Sequence, residues 1–271
     1  LKPEVVLGYE LGYTLRNSWL QASLTGFYNQ FNDVTEYSMA YSDVEHSFTY
    51  ISLSGIQKES YGVELGLNFK INDQFNVKAL GTISEAKYTN NAAVTFMKSD
   101  AEKATDGTLY FHDVCLNEGM REGGTPLAAA SLDLGYHNKG WFIDLIGNYY
   151  DKIYLYYSPI RRYETDINRI LAANPDISRS DLLDQAKGKG GFMLDASIGK
   201  SMFLKKGRSM SINLMLTNIL NNQKICTGGM EQNRLDYNDQ GIESRMYSFK
   251  DSPKKFYAQG INGMLIVTYK F

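Results

Sequence analysis

Apolar and polar residues alternate with a period of two along most of the chain. Val5, Leu7, Tyr9, Leu11, Tyr13 and Leu15 are separated by Glu4, Gly8, Glu10, Gly12, Thr14 and Arg16, the pattern of a strand and not of a helix. After only Asn17-Ser18, a second run sets Leu20, Ala22, Leu24, Gly26 and Tyr28 against Gln21, Ser23, Thr25 and Asn29, which predicts a hairpin. Val63, Leu65, Leu67, Phe69 and Ile71 continue the pattern, turn at Asn72-Asp73 and return as Phe75, Val77, Ala79, Gly81 and Ile83. Further hairpins follow from Ala128, Ala130, Leu132, Leu134 and Tyr136 into Trp141, Ile143, Leu145, Gly147 and Tyr149. Another runs from Phe192, Leu194, Ala196 and Ile198 into Met210, Ile212, Leu214 and Leu216. Ile261, Gly263, Leu265, Val267, Tyr269 and Phe271 form a last strand, about the ninth.

Connections alternate in length. Hairpin partners are joined by two to six residues, whereas 32–57, 89–125, 158–190 and 221–254 are long. Soluble sandwiches usually turn tightly at both ends, while transmembrane barrels have short periplasmic turns and long outer loops. Alternation alone does not separate the two, because a barrel in lipid inverts which face is wet. Strands of roughly 10–15 residues, where ~9–11 cross a bilayer, favour the barrel. So do tyrosines near strand ends, Tyr9, Tyr13, Tyr28, Tyr136, Tyr149 and Tyr269. The lipid face is then that of Leu7, Leu11, Leu24, Leu67, Leu132, Leu145, Leu214 and Val267, with Glu10, Glu64, Asp133, Asp144 and Asp195 pointing inward. Within 164–188, helix-spaced Ile167, Ile170 and Leu171, then Ser180 before Leu182, Leu183 and Ala186 with Gly188 as a stop, predict two short helices outside the membrane.

Composition narrows the class further. With 20 Tyr, 13 Phe and 24 Gly beside 5 Pro, the 271 residues suit sheet rather than helix. A mean hydropathy of −0.34 and the lack of an ~18-residue apolar run argue against a helix bundle. A formal charge of −2 argues against a nucleic-acid partner. The opening Leu1-Lys2-Pro3-Glu4 lacks an initiator Met and a leader, so a mature product or a fragment is expected.

The C-terminal Leu265-Ile266-Val267-Thr268-Tyr269-Lys270-Phe271 looks like the signal by which outer-membrane barrels are recognised during assembly, with Leu265, Val267, Tyr269 and Phe271 as its alternating residues. Leu1-Lys2-Pro3-Glu4 followed by Gly8-Tyr9-Glu10 resembles the "L-x-P-E…E-x-G" opening of a late strand in TonB-dependent receptors. Tyr61-Gly62-Val63-Glu64-Leu65 resembles their "G-x-E-L/F" strand, and Leu216-Thr217-Asn218-Ile219-Leu220-Asn221 their penultimate strand. Asn148-Tyr149-Tyr150-Asp151-Lys152-Ile153-Tyr154 and Pro159-Ile160-Arg161-Arg162 are similar to the large-loop, SusC-like branch. The resemblance implies an all-β antiparallel transmembrane barrel in the Gram-negative outer membrane, with residues 1–271 as the last nine of twenty-two strands, and with the plug domain, TonB box and early strands missing. The first strand would start outside, and both outer edges would pair with sequence beyond this chain. Implied partners are outer-membrane lipid, the rest of the barrel and plug, TonB through the plug, and a SusD-like surface lipoprotein.

The chemistry-bearing residues support no enzyme and no cofactor. His46, His112 and His137 are isolated, without the neighbouring His or Cys of a metal site. Asp106, His112, Asp113, Cys115 and Glu118 share one loop that could hold a hard cation, although a solvated acidic loop explains them as well. Cys115 and Cys226, both in long loops, are either bridged or two buried thiols. Asp133, Asp144 and Asp195 read as polarity of the barrel wall. Ser131 and Ser197 lack a nucleophile elbow, and Lys187-Gly188-Lys189-Gly190-Gly191 opens no helix. Arg161-Arg162-Tyr163, at a strand–loop border, is a candidate ligand contact, the alternative being a salt-bridged loop base. Three functions remain: import of a nutrient (glycan, peptide or metal chelate), a non-transporting barrel scaffold in a multi-protein complex, and a soluble β-sandwich adhesin.

Overall fold

A computed structural model describes residues 2–42, 47–97, 110–235 and 252–271. Its strands are β1 (Val5–Arg16), β2 (Leu20–Ser42), β3 (Ser47–Lys70), β4 (Phe75–Tyr88), β5 (Ala92–Met97), β6 (Tyr110–Cys115), β7 (Pro126–Asn138), β8 (Trp141–Tyr154), β9 (Lys187–Gly188), β10 (Gly191–Phe203), β11 (Ser209–Thr217), β12 (Cys226–Met230), β13 (Arg234–Leu235), β14 (Lys254–Tyr257) and β15 (Asn262–Lys270). Two helices, α1 (Glu164–Ala173) and α2 (Arg179–Leu183), lie between β8 and β9.

Nine long strands follow one another in the order β1-β2-β3-β4-β7-β8-β10-β11-β15, every pair antiparallel. The sheet is open, with β1 and β15 at the two ends of the path. This is the predicted count and order.

Local chemistry sets the register at the short turns. The Asn17 side chain accepts from the N–H groups of Trp19 and Leu20 at 3.0 and 2.7 Å, and Asn72 does the same for Gln74 and Phe75, the Asx-turn geometry that lets two residues reverse a strand. Lys139 and Gly140 both have positive φ, 48° and 83°, as a tight hairpin with the strands' twist requires. An added Cβ at Gly140 would run into the Ser201 carbonyl.

The long connections are more ordered than the sequence suggests. The described residues of the stretch 32–57 are not a loop, because β2 and β3 continue as one ladder from the Leu20↔Phe69 pair to Ser42↔Ser47. Its alternation is hidden by register shifts between Phe31 and Val34 and between Val34 and Glu36, with positive φ at Asp33 and Gly55. Each irregularity changes the phase by which side chains choose a face. In 89–125, β5 and β6 form a hairpin and β5 adds to β3. The two helices of 164–188 are present with shifted bounds. The cap of α2 is Ser178, not Ser180, since its hydroxyl accepts from Asp181 N–H while the Asp181 carboxylate accepts from Ser178 N–H, a reciprocal capping box. The helix ends at Leu183 because Lys187 and Gly188 pair with β8 as β9. Part of the fourth connection, 236–251, lies outside the described residues; β12 and β14 pair on either side of it.

Candidate functional site

Cross-strand pairing carries one apolar stripe through all nine long strands. Leu11 is opposite Gly26, Leu24 opposite Leu65, Leu67 opposite Ala79, Leu134 opposite Leu145, Ile198 opposite Leu214, and Leu214 opposite Leu265. The eight residues expected on the lipid face all share this side, and many are exposed, Leu11 at 83%. Glu10, Glu64, Asp133, Asp144 and Asp195 share the other side, each paired through the same ladders. Aromatic pairs bound the stripe. Tyr9, Tyr28 and Tyr61 are successive partners towards the long-connection end, as are Tyr149 and Phe192. Trp19 and Phe69, and Phe75 and Tyr136, meet at the other end with ring centroids 6.1 and 4.8 Å apart. Tyr61 and Phe69 lie 8 residues apart, about 27 Å along a strand at ~3.4 Å per residue. At a tilt of ~40° that spans roughly 20 Å of bilayer normal, comparable with the ~25 Å apolar band of outer-membrane barrels.

The opposite face is polar and internally bonded. Lys78 pairs with Asp133 at 2.9 Å, Asn148 donates to Asp195 at 3.0 Å, and Ser197 donates to Asn213 at 3.0 Å. Ser23, Thr25, Glu64, Thr82, Ser131 and Asn148 line a cleft of about 400 Å³ on this side. Asn218, just past β11, is buried with φ 51°. Its amide donates to the carbonyls of Asn222 and Gln259, and its backbone N–H donates to Asp195, so it ties the end of β11 to β10 and to the approach to β15.

Beyond the aromatic band the connections pack over this polar face. Phe31, Lys58 and Tyr88 belong to it by register, and Phe31 and Tyr88 join a buried cluster of Val34, Ile51, Leu53, Ile56, Val94, Cys115 and Ile160. Lys58 bonds Glu36 at 2.9 Å and Glu122 at 2.6 Å, and the Tyr88 hydroxyl donates to Glu36. Burial disfavours the charge on Lys58, but both carboxylates together hold its pKa above the ordinary lysine value. Ile167, Ile170 and Leu182 join α1 and α2 to Leu116.

At the centre is a buried ion pair that joins three loops. Arg162 (0% exposed) donates through Nη1 and Nη2 to Glu231 (1%), and the same two nitrogens also reach carbonyls, Nη1 that of Ser158 and Nη2 those of Leu183 and Asp184. Glu231 also accepts from Ser158 and Ala186 N–H at 2.9 and 3.1 Å. Burial by itself raises the Glu231 carboxyl, yet the Arg162 guanidinium and the Ser158 N–H hold it below the usual glutamate range. The several hydrogen bonds to the Arg162 terminal nitrogens and to both Glu231 oxygens offset part of the cost of desolvating the two ions, although Arg162 Nε finds no partner.

These features, a continuous apolar stripe between aromatic bands with a loop cap on the polar side, can be set beside known proteins. The sequence matches the family described as "TonB dependent receptor-like, beta-barrel" over residues 1–219. The chain belongs to this family. No curated protein matches the sequence. Among solved structures, "Copper transporter OprC" is similar at a TM-score of 0.56 and 10% identity, covering 99% of this chain and 32% of that one. The FpvAI–pyocin S2 complex gives 0.53 and 12%, covering 99% of this chain and 27% of that one. At such identities the likeness shows the fold alone. The chain spans about a third of the length of these structures or less. TonB-dependent receptor barrels are outer-membrane proteins of Gram-negative bacteria, and the apolar stripe is therefore the lipid face.

In this TonB-dependent receptor barrel, Arg161, Arg162 and Tyr163 are all buried. Arg162 is the hub of the loop cap, and the backbone of Tyr163 bridges to Cys115. Their geometry is that of a salt-bridged loop base. Nothing in the sequence marked Glu231, a lone acid after Gly228-Gly229-Met230. Cys115 and Cys226 are free thiols, both buried, and burial pushes Cys115 up to about 12. His112 contacts Thr95 at 3.1 Å; His46 and Asp106 lie outside the described residues. Among the described residues no three His, Cys, Asp or Glu gather as a metal site. Leu265, Val267 and Tyr269 stand on the lipid side of β15, and Phe271 is 95% exposed beside Tyr269 at a centroid distance of 6.1 Å.

Proposed function

We propose that this chain is the barrel wall and extracellular loop cap of an importer, the C-terminal portion of a receptor whose plug and earlier strands complete the pore. It admits a nutrient too large for porins, with energy delivered by TonB through the plug. The observation that carries this reading is the inward lean of the loops. Their buried core grows from the polar face of β2, β3 and β4, so the cap stands over the lumen mouth where a ligand is captured before passage. A rigid cap braced by Arg162 and Glu231 fits selective capture, because loops already ordered lose less entropy on binding. Arg161, Arg162 and Tyr163 contribute by holding the loops in place.

The test is growth on a limiting nutrient panel (glycan, peptide and metal chelate) in strains with and without the receptor, each with TonB intact or removed. A growth defect seen only while TonB is present supports import. A defect of equal size without TonB is the signature of a non-transporting scaffold.

The finer SusC-like form of this reading rests on the size of the loops. Co-purification of a SusD-like lipoprotein with the intact receptor would bear it out. Leu265, Val267, Tyr269 and Phe271 are proposed as the assembly signal: deleting Phe271 lowers the amount of folded barrel, and normal folding of the deletion would remove that role.

A further inference from the structure

The short turns of the wall differ in charge. Across the β3–β4 turn, Lys70 and Asp73 neutralise each other at 2.7 Å. Towards the other end of the sheet, the β7–β8 turn carries Lys139 and the β10–β11 turn reads Lys205-Lys206-Gly207-Arg208. No Asp or Glu occurs within 134–143 or 196–217. These two turns are neighbours, because Ser201 N–H donates to the Gly140 carbonyl at 2.7 Å. Lys139, Lys205 and Arg208 are exposed. Among the described residues no acidic side chain pairs with any of them or with Lys200. Asp144 and Asp195, the next acids along β8 and β10, stand on the polar face of the wall.

Lys200 ties this charge to the membrane boundary. It stands opposite both Trp141 and Ile212, and Ile212 stands opposite Val267, so Lys200 leaves the wall on the lipid side. Its Nζ lies 4.6 Å from the centre of the Trp141 ring. This is the arrangement of an interfacial lysine, whose stem runs along apolar surface while its charge reaches the headgroups. From Lys200 to the turn at 204–208 the strand covers about 14 Å, roughly 10 Å of the bilayer normal at a tilt of ~40°. Lys139, Lys200, Lys205 and Arg208 therefore straddle the headgroup layer on the short-turn side, which faces the periplasm in barrels of this kind.

A phosphodiester with no cation of its own matches such a surface. The ammonium of phosphatidylethanolamine would meet further cations here and no carboxylate, whereas phosphatidylglycerol presents its phosphate alone. We propose that the β7–β8 and β10–β11 turns form a binding surface for anionic phospholipid of the periplasmic leaflet. The lysine and arginine donors make charge-assisted hydrogen bonds to the phosphate oxygens, and the clustered charge draws anionic lipid to this sector of the rim. The acyl chains of the bound lipid continue along Trp141 and Ile212, on the lipid face already described.

The experiment reconstitutes the intact receptor in nanodiscs of equal phosphatidylethanolamine and phosphatidylglycerol and measures the lipid retained on the protein by native mass spectrometry. The expected result is about ten-fold preferential retention of phosphatidylglycerol, shrinking to parity in ~1 M salt, where charges are screened within ~3 Å. The combined variant Lys139→Gln, Lys200→Gln, Lys205→Gln and Arg208→Gln should lose the preference, while Lys70→Gln keeps it. Heat-modifiable migration on a gel checks that both variants fold, and the salt dependence of the unmodified receptor tests the proposal without any variant. Equal retention of the two lipids, or a preference that survives the combined variant, would overturn the surface. Loss of the preference in Lys70→Gln would reduce it to general surface charge and overturn it equally. Displacement of retained phosphatidylglycerol by millimolar inorganic phosphate would overturn the membrane source.

Discussion

Along β3 and β4, Val63, Leu65 and Ile83 are exposed, whereas Ile51, Leu53, Ile56 and Tyr88, a few residues further on the same two strands, are buried. The difference is in what covers each apolar side. In the wall, lipid is the apolar phase, so the side chains need no protein neighbours and no buried hydrophobic residue occurs within 60–84, 128–150, 191–217 or 262–271. The loops stand in water and must supply their own core, which they do by packing a hairpin, two short helices and the 155–163 segment together. One chain thus contains a membrane protein and a water-facing globular assembly joined through continuous strands. The lesson is that the wall gets its stability from ladder hydrogen bonds and lipid, while the cap depends on close packing and one buried ion pair.

The strongest way to break that contrast is at Glu231. Glu231→Ala leaves Arg162 charged and buried, an imbalance of about 3–5 kcal/mol. Loop segments 155–186 and 226–231 should lose hydrogen-exchange protection while wall amides keep theirs; uniform loss across both regions would show that the cap is not a separate unit. Next comes Leu53→Ala, which opens a cavity in the cap core at a cost of ~2–5 kcal/mol. Leu265→Ala on the lipid face should cost clearly less, because acyl chains close around the truncated side chain. Equal losses in denaturant titrations would contradict the difference in packing.

The wall is probed by the reverse substitution. Leu214→Arg should destabilise the folded barrel in lipid by ~2–4 kcal/mol at mid-bilayer, whereas Ser131→Arg on the polar face should be tolerated with little effect. The reading is the amount of heat-modifiable folded protein on a gel, and a larger loss for Ser131→Arg would reverse the two faces.

Acid gives a smaller and more selective effect. Because the folded Glu231 pKa is depressed, its contribution is fully present above the unfolded value of ~4.3 and is lost as pH falls through the folded value below that. Protease sensitivity of the cap should therefore rise only below about pH 4, and Glu231→Gln should remove this transition. A cap that opens between pH 5 and 7 would point to another group. The smallest test is chemical: at pH 8 Cys115, with its thiol raised to about 12, should react with maleimide only after unfolding.

The wall was legible because its signal is local. A period of two, read within single segments, gives the two faces, and Asn17, Asn72 and Lys139-Gly140 fix where each strand reverses. Asn218 was visible as part of a family-like motif, although its role as a buried tie between strand ends was not. The continuation of β2 and β3 is hidden in the sequence because Asp33 and Gly55 shift the phase in mid-strand. A ladder with two irregularities therefore looks like a loop when only alternation is counted. Arg161-Arg162-Tyr163 stood out as cations beside an aromatic, but their burial could not be read from their own segment.

By itself the sequence determined the strand order, the tight turns and which side chains share a face, since each follows from backbone geometry over a dozen residues. The tertiary structure alone decided that the long connections fold inward as a cap and that Arg162 meets Glu231 across a separation of 69 residues. It also decided that both cysteines are buried. Those outcomes depend on which distant segment excludes water from a given side chain, and alternation along the chain carries no information about that partner.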